Sequence, residues 1–153
     1  MLDLFDEAFH PLDDSGVWTA VPSVHIIRAF LSDIQESLQL DDVCVVTALV
    51  MLERAVFTSA FVIAPRTWRV ALLIAMVIAC KVVFDEDIYL GDFRDNLPWL
   101  DVDLSGQEAV FLNLIDYTTL VKARQYAQYY FALGDLMRPP KPAPPARRKI
   151  VLA

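Results

Sequence analysis

Apolar residues along the chain return at steps of three and four. Val24, Ile27, Leu31, Ile34 and Leu38 put one stripe on a first helix, with Ser23 placed to cap it just after Pro22. Asp41 and Asp42 open a second helix, carried on by Val43, Val46, Val50 and the run from Leu52 to Phe57. Pro65 stands where a first-turn proline is tolerated, and the stretch from Trp68 to Val83 is apolar on nearly every side. A helix with no polar side belongs in the centre of a bundle. Asp85-Glu86-Asp87 and Gly91 interrupt it, and Asp92 to Leu97 make a short helix before Pro98. Ser105, three residues before Glu108, has the spacing of a capping box, and Phe111, Leu112, Leu114 and Ile115 follow on the next helix. A last helix runs from about Leu120 to Met137, with Tyr126, Tyr130, Leu133 and Met137 in line. No run alternates apolar and polar residues as a half-buried strand does. The pattern predicts an all-α chain with five main helices and one short one.

Composition sharpens this picture. With 153 residues, 56% of them hydrophobic, and a mean hydropathy of +0.43, the chain is more apolar than a domain of its size needs, which points to a membrane segment or to a surface that meets another protein. Counting decides between them: the longest uncharged apolar run, Val70 to Cys80, is 11 residues, where spanning takes about 20. The start, Met-Leu-Asp-Leu-Phe-Asp-Glu, has neither the basic region nor the apolar block of a signal peptide, so an intracellular protein, in the cytoplasm and/or nucleus, is expected.

Charge divides the chain. The net is -7, yet five of the 13 basic residues and none of the 20 acidic ones lie after Met137, so residues 1–137 carry -12 and residues 138–153 carry +5. Five of nine prolines fall between Pro139 and Pro145, which predicts an extended tail. Arg147, Arg148 and Lys149 read as a solvated end of that tail rather than as an import or anion-binding signal. Residues 1–21, with Phe5, Phe9, Val17 and Trp18 among acids, read as an irregular N-terminal arm flanking a domain at 22–137. An acidic body is a poor partner for DNA or RNA.

Candidate chemistry is sparse. His10 and His25 have no cysteine or second histidine at ligand spacing, and no glycine-rich loop precedes a helix to cradle a phosphate. Cys44 and Cys80 sit within apolar helical runs and read as buried reduced thiols, not as a disulfide or metal site. The acids Asp85, Glu86, Asp87, Asp92, Asp95, Asp101 and Asp103 lack the order of a calcium loop and read as a solvated acidic stretch. No cofactor, metal or catalytic residue is expected.

Five pieces of the chain, in order, resemble a known family. Ala48-Leu49-Val50-Met51-Leu52-Glu53-Arg54, Pro65-Arg66-Thr67-Trp68-Arg69, and Ile78-Ala79-Cys80-Lys81-Val82-Val83-Phe84-Asp85-Glu86 look like parts of the cyclin box. The run from Gln107 to Tyr117 resembles the fifth box helix, and Tyr126 to Leu133 resembles the stretch that ends the box. The match, over roughly residues 22–136, is most similar to cyclin Y and the single-box P-type cyclins, and no second box follows. The resemblance implies a five-helix bundle around a central hydrophobic helix, with a flanking arm and C-terminal helix. It also implies a non-catalytic subunit that forms a heterodimer with a cyclin-dependent protein kinase and activates it. The family's kinase-contacting lysine and glutamate fall on Lys81 and Glu108. Ile27-Arg28-Ala29-Phe30-Leu31-Ser32-Asp33-Ile34 resembles the substrate-docking motif of cell-cycle cyclins, with Ile27, Leu31 and Ile34 as its patch, although Ile34 stands where that motif has tryptophan.

Each of these residues also has a structural explanation. Lys81 suits the last turn of a helix through the helix dipole, Glu108 closes the capping box, and the Ile27 stripe makes core. Two rival functions use other features. A cyclin-fold transcription or scaffold protein, like transcription factor IIB, would need DNA-compatible charge, and a helical enzyme or carrier would need a polar-lined interior pocket.

Overall fold

The computed structural model describes residues 2–84, 88–100 and 102–137. The basic, proline-rich tail at 138–153 and the acids Asp85, Glu86, Asp87 and Asp101 lie outside the described residues. A 3-10 turn at Leu2–Phe5 is followed by α1 (Val24–Leu38), α2 (Asp42–Thr58), α3 (Trp68–Val83), α4 (Leu90–Asn96), α5 (Ser105–Leu114) and α6 (Ala123–Met137). Among the described residues there is no strand, so the fold is all-helical.

Most boundaries have a local cause. Ser23 accepts the Ile26 N–H at 3.3 Å and starts α1, and Gln39, in the left-handed region at φ 52°, ends it. Pro65 does not enter a helix: α3 begins three residues later, after a turn in which Thr67 Oγ1 accepts the Ala64 N–H at 2.9 Å. After α5 the chain reverses through Asp116 and Tyr117, both at positive φ. α6 then starts at Ala123 rather than near Leu120. The cause is Arg54, whose guanidinium donates to the carbonyls of Thr118 (2.8 Å) and Leu120 (2.6 Å) and holds that stretch off the helical path.

α3 is the centre. Every residue from Trp68 to Cys80 is buried, including Arg69. α2 covers one side of it in the most extensive helix interface, and α5 and the N-terminal turn pack on others. α1 is held near the start of α3 by aromatic edges: Phe30 lies 5.3 Å from Trp68 and 5.7 Å from Trp99. The Trp99 indole N–H donates to Asp33 at 2.8 Å.

The N-terminal segment contributes to the same core. Phe5 is fully buried, edge-on to Phe61 at 5.2 Å and 6.4 Å from Phe111, and Leu12 is buried nearby in sequence. Glu7 donates its backbone N–H to the Arg66 carbonyl at 2.9 Å, and Gln107 donates its amide to the Leu4 carbonyl at 3.1 Å. A segment without helical period is therefore fastened at both the turn before α3 and α5.

Candidate partner-binding site

Lys81 is in the last turn of α3 and Glu108 in the first turn of α5. The packing of α5 on α3 brings them together, with Lys81 Nζ 2.5 Å from Glu108 Oε1. Their side chains are 32% and 14% exposed. Exposed Val82 and Phe84 flank the lysine in sequence. An ion pair open to solvent to this degree contributes on the order of 0.5 kcal/mol to folding. Its hydrogen-bonding capacity is not used up, because an ammonium carries three donors and a carboxylate two acceptor oxygens.

The capping box expected at Ser105 and Glu108 does not form. Ser105 is already inside the helix, its N–H is taken by Asp103 Oδ1 at 3.0 Å, and Glu108 is drawn to Lys81 instead. A full positive charge outcompetes a neutral backbone N–H for a carboxylate.

The other sequence-derived patch separates by burial. Ile34 is fully buried, and Ile27 and Leu31 are half-buried. Leu31 packs against the core, so this stripe is the face that α1 turns inward, and Ile34 offers no surface. His10 and His25 are exposed, and no group of three or more His, Cys, Asp or Glu gathers among the described residues.

Two features carried no sequence signal. Arg69 is buried beside two carboxylates of the N-terminal segment. It makes a bidentate bond to Glu7 (Nε to Oε2 at 3.1 Å, and Nη2 to Oε1) and donates to Asp13 Oδ2 at 2.9 Å. Burial pushes the Asp13 pKa up, but hydrogen bonds from Arg69 and Ser15 outweigh it and hold the carboxyl at about 2. Partners 56 and 62 positions apart leave no local pattern. The second is an open apolar groove of about 370 Å³ between α2 and α6, lined by Leu52, Val56, Phe57, Ile63, Tyr129 and Leu133 among others.

Among the described residues no helix is long and apolar enough to cross a membrane. No protein-family model matches the chain, and no solved structure matches it significantly.

Proposed function

We propose that the chain is a cyclin-like regulatory subunit, which binds a cyclin-dependent protein kinase inside the cell, in cytoplasm or nucleus, and activates it without doing chemistry itself. The observation that carries this reading is the Lys81–Glu108 pair. Two residues picked out by resemblance on separate segments, 27 positions apart, are bonded to one another at 2.5 Å and part-exposed, and exposed Val82 and Phe84 follow the lysine in sequence. In a protein interface apolar residues supply affinity and a charged pair fixes register.

The mechanism follows from what a kinase requires. Phosphoryl transfer needs the strand-three lysine of the kinase paired with the glutamate of its αC helix. A rigid helical face that binds αC in that position favours the active state by the difference in its affinity for the two states. Here the rigidity would come from α3, buried from Trp68 to Cys80, with the contact in its more exposed last turn.

Affinity capture with the full chain from native extract tests the reading. The expected result is recovery of a cyclin-dependent kinase, and the Lys81→Ala, Glu108→Ala double variant recovers at least about tenfold less with an unchanged helical circular dichroism signal. A folded chain that captures no kinase overturns it.

A further inference from the structure

The groove of about 370 Å³ between α2 and α6 leaves apolar side chains open to water: among its lining residues Phe57 is 79% and Ile63 42% exposed. Leu52 and Val56 of α2 and Tyr129 and Leu133 of α6 line it as well, and Glu53 is the one charged residue of the lining. Glu53 is exposed and has no ion pair or hydrogen bond among the described residues. The Tyr129 hydroxyl is shut off from solvent and likewise lacks a hydrogen-bond partner there. An apolar, partly aromatic channel with one acid suits a segment that is apolar, extended and basic at one end.

The chain carries such a segment directly after α6. Residues 138–149 read Arg-Pro-Pro-Lys-Pro-Ala-Pro-Pro-Ala-Arg-Arg-Lys. Proline fixes φ near the polyproline II value, and that helix has about 3 residues per turn and a rise of about 3.1 Å. Pro139, Pro142 and Pro145 therefore share one edge at intervals of about 9 Å, with Arg148 next in the same register. We propose that the groove between α2 and α6 receives this segment of its own chain as a polyproline II helix, with the arginines that follow the prolines paired to Glu53.

The reach is right. α6 ends at Met137, and Leu133 and Tyr129 lie about 6 and 12 Å back along its axis. Arg138 precedes a proline, which disfavours a helical conformation there and opens the way to a reversal. A chain that turns back at Arg138 brings Pro142 about 9 Å along α6, level with the stretch between Leu133 and Tyr129. On the other wall Leu49 to Phe57 span about 12 Å, room for two prolines of one edge. Charge agrees, since residues 138–153 carry +5 against -12 on residues 1–137. A polyproline II chain has no internal hydrogen bonds, so its carbonyls can accept from the Tyr129 hydroxyl, and being extended already it loses little freedom on docking. Tethering makes a weak site sufficient: at an effective concentration of about 1 mM, a Kd of about 0.1 mM gives about 90% occupancy.

Nuclear Overhauser contacts in the full chain, with Leu and Val methyls and prolines isotope-labelled, test the proposal. The expected contacts join the methyls of Leu52, Val56 and Leu133 to the rings of Pro142 and Pro145, within one chain of a monomer. Pro142→Ser with Pro145→Ser should abolish them with an unchanged helical circular dichroism signal. A free peptide of residues 138–149 should then shift those methyls at a concentration about tenfold lower in the variant than in the wild type, where the tethered segment competes. A folded wild-type chain without the contacts overturns the proposal. So do contacts found only between labelled and unlabelled chains, which would assign the groove to a second copy, and a peptide that shifts the methyls of both proteins equally or of neither. The wild-type contacts stand alone if the variant fails to fold.

Discussion

Replacing Arg69 with methionine strips a guanidinium from two carboxylates while keeping most of the volume and the helix propensity of the site. The Glu7 side chain is 1% exposed and that of Arg69 8%, so Arg69→Met leaves an ionised group shut away from water with no counter-charge. Breaking a buried pair from one side costs about 3–5 kcal/mol. Unfolding entropy of roughly 2.1 cal/mol/K per residue, over 153 residues, converts that into a fall in Tm of about 9–16 °C. The damage is local as well as global: the Glu7 N–H, bonded to the Arg66 carbonyl at 2.9 Å, should lose hydrogen-exchange protection ahead of α3. Thermal unfolding followed by circular dichroism gives the first number and exchange the second. The sharper test is Glu7→Leu with Arg69→Met, which removes both charges and should recover most of the loss. A drop of less than about 3 °C in the single variant, or a double variant worse than the sum of its parts, refutes the reasoning, because the pair would then not be the buried interaction described.

Other expectations follow from the same geometry. Asp13, held at about 2 against an ordinary 3.8, contributes stability that is complete above pH 4 and lost as pH falls from 4 towards 2; Tm against pH should show an acid limb that Asp13→Asn flattens. Phe111→Ala empties a fully buried position against Phe5 and should cost about 3–5 kcal/mol in urea unfolding, whereas Phe131→Ala, at 66% exposure, should stay within about 0.5 kcal/mol. Arg54→Ala removes the hydrogen bonds to Thr118, Leu120 and Gln125, and hydrogen exchange should rise over residues 118–125 with a stability loss of about 2 kcal/mol.

The helices were legible where a face repeats. The stripe from Val24 to Leu38 and the cap at Ser23 read directly as α1, and the wholly apolar run from Val70 to Cys80 read directly as the buried centre. The same all-round character concealed which side of α3 meets α2 and which meets α5, since periodicity carries orientation only when one face is polar. Phe5 stood out only as one apolar residue of an irregular arm able to pack against the domain, because a segment without a period does not say which of its side chains enters the core, and the Glu7–Arg69–Asp13 cluster gave no signal because pairing across 56 to 62 positions is set by tertiary packing. Glu108 illustrates a different difficulty. Its spacing from Ser105 and its suitability for Lys81 were both written in the sequence, and strength of charge, which spacing does not record, decided between them. Its pairing with Lys81 brings two residues named from the sequence to one site, whereas burial separates Ile34 from Ile27 and Leu31.

The fastening of the N-terminal segment also bears on how the chain matures during synthesis. Leu4 is bonded to Gln107, 103 positions later, and Phe5 completes its aromatic contacts with Phe111. At roughly 5–20 residues per second, about 5–20 s of translation separate the appearance of Phe5 from that of Phe111, with Phe61 emerging about halfway. For that interval the nascent chain carries a phenylalanine without its full set of aromatic contacts and, until Arg69 emerges, an unpaired Glu7. The last-made third of the described chain thus supplies the contacts that complete the burial of its first-made residues.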